Sequence, residues 1–170
     1  MDNKRYQVFI SSTFWDLKEE RKEIMQALLE MDCIPAGMEL FPAGNESQWE
    51  LIQGIIDESD YYLVVVGGRY GSVSEEGISY TEMEYDYAVA QGIPVMGFVH
   101  GEPDDIQIKN TDKNPELDEK LKAFRAKVQK RITKSYTTPA ELGSVVTRAL
   151  IQLIRKNPRP GWVRGDQAMS

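Results

Sequence analysis

Short apolar runs alternate along this chain with longer stretches in which apolar residues recur every three or four positions. The run YQVFIS, residues 6–11, is β-branched and aromatic and predicts a strand. After it, Leu17, Ile24, Ala27, Leu28 and Met31 fall at helical spacing, with Ser12 or Thr13 placed to cap the helix. CIPAGMELFPAG surrounds a brief strand with prolines and glycines, and SQWELIQGIIDES predicts a short helix with Trp49, Ile52, Ile55 and Ile56 on one side. YYLVVVGG, residues 61–68, is continuously apolar, as a strand buried on both faces of a parallel sheet must be. A helix from about residue 79, the strand IPVMGFV, a polar loop, a charged helix over 115–131, the short strand SYTT and a last amphipathic helix opening on Pro139 complete the series.

Strand and helix therefore alternate five times. Parallel neighbours need crossover connections, so this alternation implies an α/β fold: a three-layer, flavodoxin-like sandwich around a five-stranded, mainly parallel sheet. Ligands in such folds bind beyond the carboxyl ends of the strands, which directs attention to the loops beginning at Ser11, Glu39, Gly67 and His100. Residues 1–158 read as one domain, and residues 159–170, within the tail NPRPGWVRGDQAMS, as a linker or the start of a further region.

Composition narrows the function. A net charge of −7 repels a nucleic-acid backbone, and Lys122, Arg125, Lys127, Lys130 and Arg131 read more simply as a solvated helix face. One cysteine and one histidine give neither a disulfide framework nor a zinc site, and no metal is expected. No apolar run approaches the ~20 residues of a membrane span, so a reduced, cytoplasmic setting is expected.

The candidate chemistry lies in GISYTEMEYDYAVAQGIPV, residues 77–95, which sets Glu82 and Glu84 two positions apart at a helix start. Such residues point about 200° apart around the axis, so they do not form a dyad. Ser79 and Glu82 have capping-box spacing, which gives Glu82 a structural role. Glu84 falls beside the apolar line Met83, Tyr87, Ala90, and the positive end of the helix dipole favours its ionised form. GGRYG, residues 67–71, lacks both nucleotide-binding glycine fingerprints. It reads either as an ordinary turn or as a place where backbone at Gly68 approaches a dinucleotide, with Arg69 on a phosphate and Tyr70 on a base. Ser11, Ser12, Thr13 and Phe14 end the first strand, where they meet a ribose or phosphate or else serve as caps; Asp16 and Arg21 are spaced to pair.

YQVFISSTFWDLKEER, residues 6–21, resembles the opening signature of a TIR-like domain found at the front of STAND and NACHT-type NTPases, and the likeness continues through VVVGGRYGSVSEEGISYTEMEYDYA. The wider superfamily it resembles includes TIR domains that cleave NAD and nucleoside deoxyribosyltransferases, in which one glutamate near the start of the helix after the third strand is essential. EYDYAVAQGIPV matches that helix with Glu84 in the glutamate position, making Glu84 the first candidate and Glu82 the second. Where many TIR domains carry a tryptophan and a cysteine before this glutamate, the chain has Ser79, Tyr80 and Thr81.

The resemblance implies NAD or a related nucleotide as substrate, with no cofactor. It also implies self-association or association with other TIR-like modules, and fusion to or association with a sensor NTPase in defence or stress sensing. The loop MELFPAG holds the position that mediates self-association and borders the ligand pocket, so Phe41 is a candidate for substrate binding and association, with core packing as the equal alternative. Three expectations stay open: an N-glycosidase, a non-catalytic interaction module, and a deoxyribosyltransferase-like enzyme.

Overall fold

The computed structural model describes residues 3–37 and 46–168. Five strands form one wholly parallel sheet in the order β2-β1-β3-β4-β5: β1 Gln7–Ser11, β2 Ile34–Gly37, β3 Tyr61–Val66, β4 Val95–His100 and β5 Thr133–Tyr136. Five helices connect and flank them: α1 Lys18–Glu30, α2 Glu46–Asp57, α3 Tyr80–Ala90, α4 Pro115–Gln129 and α5 Pro139–Lys156. The expected α/β sandwich is the fold observed.

Successive residues of a strand face opposite sides of the sheet, and this alternation sorts the core into two layers. Val8, Ile10, Leu63, Val65 and Phe98 meet Ile24 and Leu28 of α1 and Val146 and Leu150 of α5. Phe9, Tyr62, Val64 and Val66 meet Ile52 and Ile56 of α2, Tyr85 and Ala88 of α3, and Phe124 and Val128 of α4. Ser11 follows Phe9 by two positions, so the last side chain of β1 joins the α2/α3/α4 layer. Winding reverses at β1, since β2 lies on one side of it and β3 on the other. The crevice this opens beyond Ser11 and Val66 is where doubly wound folds bind ligands.

Two sequence expectations are corrected. Helix α1 begins at Lys18, not beside Ser12 or Thr13, and its N-cap position, Leu17, offers no side-chain bond. The Ser12 hydroxyl is engaged elsewhere: it donates to the Thr13 carbonyl and accepts from Arg21, which holds residues 12–17 as a loop. In α3 the buried stripe is Thr81, Glu84, Tyr85 and Ala88, while Met83 and Tyr87 are only half-buried. The Tyr87 hydroxyl donates to Asp57, which draws that residue toward the rim. Glu84 therefore lies on the core-facing stripe itself.

Beyond α5 the chain returns to the domain. Trp162 pairs with Arg5 across two backbone hydrogen bonds, and the Gly161 N–H donates to the buried Asp60 carboxylate. Among the described residues, no helix is long and apolar enough to cross a membrane.

Candidate functional site

Helix α3 starts as its sequence dictates, with Ser79 accepting from the Glu82 N–H. The other half of the capping box is completed indirectly. The Ser79 N–H donates to the Tyr70 hydroxyl at 3.1 Å, and that hydroxyl donates to Glu82 Oε1 at 2.6 Å. Lys127 of α4 pairs with Glu82 Oε2 and with Asp86. Both Glu82 oxygens are thus engaged in holding the helix entry against α4.

Glu84 has no comparable explanation. It is 0% exposed, and of its two oxygens only Oε1 has a partner, the Ser11 hydroxyl at 2.7 Å. Oε2 is buried without a hydrogen bond, and so is the nearby Tyr62 hydroxyl. Burial pushes the Glu84 carboxyl up to about 8, and the Ser11 hydrogen bond and Arg21 charge recover only part of that shift. The ionised state expected from the helix dipole is therefore overruled by desolvation, which dominates in a site closed to water. Burial likewise holds the Tyr62 phenol well above its ordinary value, with the adjacent Glu84 adding to the effect. The result is a neutral acid, a phenol and a serine hydroxyl facing one another at the end of β1. Arg21 ties this group to the loop through its 2.5 Å bond to Ser12.

The remaining candidates divide into two sets. Ser11 joins Glu84 directly, and Ser12 lies one residue on, bonded to Arg21. Thr13 is half-buried, with its hydroxyl unpartnered. Phe14 is exposed and edge-on to the more exposed Trp15, with Lys18 lying over both rings. On the other side of the crevice, Gly68 packs so closely that an added Cβ would lie 2.3 Å from the Asn110 carbonyl oxygen. Arg69 faces Asp112, and Tyr70 is buried edge-on to Phe124. Phe41 lies outside the described residues.

Asp16 does not pair with Arg21 as expected, since both its oxygens are buried without hydrogen bonds. It lines a cleft of about 260 Å³ beyond β3, β4 and β5, together with Glu20 and His100. Sequence reasoning missed this cleft and the Tyr62 hydroxyl; the two adjacent tyrosines, Tyr61 and Tyr62, that open an otherwise aliphatic strand were the one available signal for the latter. Among the described residues no three His, Cys, Asp or Glu side chains converge to hold a metal ion.

A family model described as "Domain of unknown function (DUF4062)" matches residues 7–151. No curated protein matches the chain. Among solved structures, the TIR domains of the activated Roq1 resistosome directly recognizing the pathogen effector XopQ align with a TM-score of 0.58 and 14% identity, covering 87% of this chain and 99% of that one. The Clostridium botulinum CMP N-glycosidase BcmB aligns with a TM-score of 0.50 and 15% identity, covering 84% and 98%. These likenesses establish a TIR-like fold.

Proposed function

We propose, for a chain that belongs to the family described as Domain of unknown function (DUF4062), that it is a TIR-like effector domain hydrolysing the N-glycosidic bond of NAD or a related nucleotide. The observation that carries this reading is Glu84 Oε2, a carboxyl oxygen buried in the core with no partner. Native structures rarely leave such an atom unsatisfied, and strongly perturbed acids concentrate at functional sites. The two structural neighbours, one the TIR domains of a resistosome and one a CMP N-glycosidase, support the same direction.

The chemistry follows from the charge that develops. As the base departs with the bonding electron pair, the ribose acquires oxocarbenium character, and an anion beside it lowers the barrier. Ser11 fixes one Glu84 oxygen and leaves the other to face the sugar. A cationic ribose supplies the counter-charge that burial withholds, so Glu84 ionises as the transition state forms, giving its proton to a base that leaves as an anion, as cytosine does, or to solvent where the base leaves neutral, as nicotinamide does. Water then adds to the anomeric carbon and passes its proton to Glu84, which returns to the neutral acid.

Glu84 is closed to solvent at rest, so substrate entry requires the loops after β1 and β3 to part. We assign that opening to self-association, driven in the cell by a sensor NTPase of the STAND type, fused or associated, in a cytoplasmic defence or stress response. The same closure favours a second reading, a non-catalytic interaction module in which Glu84 is only a helix element.

Base release separates the two. The purified chain is tethered on a scaffold to force association and incubated with NAD and with CMP, and the free base is measured by chromatography. Turnover is expected in the wild type and in Glu82→Gln, with a loss of about 100-fold or more in Glu84→Ala, the size of a lost acid–base group. Equal, negligible release by all three proteins from NAD, CMP and deoxynucleosides assigns the chain to the interaction class.

A further inference from the structure

The cleft beyond β3, β4 and β5 is separate from the Glu84 cluster, and it contains an unbalanced charge. Asp16 is 7% exposed, yet both its carboxylate oxygens lack hydrogen bonds, and Glu20, four residues further on in the first turn of α1, buries Oε2 in the same condition. Asp105 adds a third acidic residue to the lining, and Lys109 is the one Lys or Arg among the described lining residues. Arg69, the guanidinium acting on Asp16, is already directed at Asp112, 3.7 Å away.

We propose that this cleft is a ligand site for a small organic cation, whose ammonium or guanidinium head inserts between Asp16 and Glu20. Carboxylates kept from water without partners are costly, and a head with several N–H donors satisfies them with matched charge and geometry. Phosphates are repelled by the same acidic lining. Among the described residues no third His, Cys, Asp or Glu side chain converges with the two carboxylates as a metal site would need. The volume of about 260 Å³ lies below the ~300–1,000 Å³ of drug-sized sites, so the cleft suits a compact head rather than a dinucleotide. In the wall, His100 accepts the Glu102 N–H on Nδ1, and the Tyr136 hydroxyl donates to the Val66 carbonyl.

Burial, the largest influence, holds both carboxyls above their ordinary values, and at Glu20 the charges of Asp16 and Glu19 add to it. His100, whose ring is held below its usual value by burial and Arg125, stays uncharged at neutral pH, and the Tyr136 phenol is held above its own. A bound cation favours the ionised carboxylates, so it binds more weakly as pH falls and the free site takes up protons.

The test is a thermal-melt titration of the whole chain with agmatine, which carries one ammonium and one guanidinium, against sodium phosphate and D-ribose at matched ionic strength. A saturable rise in Tm with agmatine alone is expected, stronger at pH 7 than at pH 5. Glu20→Gln, at a half-buried position, weakens it at least tenfold, and Asp16→Asn does the same if folded. Glu84→Gln leaves it unchanged, so the outcome is independent of any glycosidase activity. No saturable shift, an equal shift with D-ribose, or full retention in Glu20→Gln overturns the proposal.

Discussion

Replacing Glu84 by glutamine should make this protein more stable at neutral pH. The Glu84 carboxyl is raised from 4.5 to about 8 by complete burial. Between those values the unfolded chain has lost the proton and the folded chain still holds it. The folded state therefore binds more protons than the unfolded one, and stability falls as pH rises through this window. The slope is about 1.4 kcal/mol per pH unit, which accumulates to about 3 kcal/mol by pH 7. Glutamine is the neutral isostere: it still accepts from Ser11, and it carries no charge to desolvate in either state. Below pH 4.5 the two proteins should be equally stable, because the glutamate is protonated whether folded or unfolded. The assay is equilibrium urea denaturation of both proteins at intervals from pH 4.5 to 8. Contributions from Asp16, Glu20 and every other shared group cancel in the difference. A gap that opens steadily with pH in favour of Glu84→Gln supports a buried neutral acid. Parallel stability curves, or a gap that opens in favour of the wild type, refute it.

Other substitutions probe the surrounding structure. Ser11→Ala removes the one hydrogen bond to Glu84 and should cost about 1–3 kcal/mol; because that bond holds the carboxyl down, its loss should also extend the fall in stability beyond pH 8, as a pH series of urea melts would show. Tyr70→Phe breaks the link from Ser79 to Glu82 and leaves a buried N–H without its acceptor, a loss of about 1–3 kcal/mol in urea denaturation. Gly68→Ala drives a methyl group to 2.3 Å from the Asn110 carbonyl oxygen; it should cost about 2 kcal/mol or more, lowering Tm by roughly 4 °C or more in a calorimetric scan.

The layered fold was legible because its signals are local and repeated. YYLVVV is too apolar to be anything but a strand covered on both faces, and Pro139 places the start of α5 where it is observed, whereas the last strand runs over Thr133–Tyr136 rather than SYTT because Thr138 caps that helix. Ser79 and Glu82 announced the start of α3 in the same way, although the hydroxyl that completes the capping box comes from Tyr70, nine residues earlier, which no local spacing reveals. The start of α1 was misplaced because Ser12 and Thr13 are good caps in isolation, whereas here a tertiary contact from Arg21 holds Ser12 in a loop. Resemblance singled out Glu84, but its neutral state depends on burial beneath Tyr62 and Ser11 from two other strands, which residue spacing does not encode. The acidic cleft was hidden for the same reason, since it joins residues from the ends of α1, β3, β4 and β5.

The most direct measurement compares base release from NAD by the scaffold-tethered wild type with that by Glu84→Gln at pH 7. Glutamine should preserve the fold and increase its stability, so lost turnover in that variant cannot be ascribed to unfolding. A drop of about 100-fold or more, with the variant melting above the wild type, is the result expected if the buried carboxyl is the reacting group. Undiminished release by Glu84→Gln, or none from the wild type under the same forced association, contradicts it.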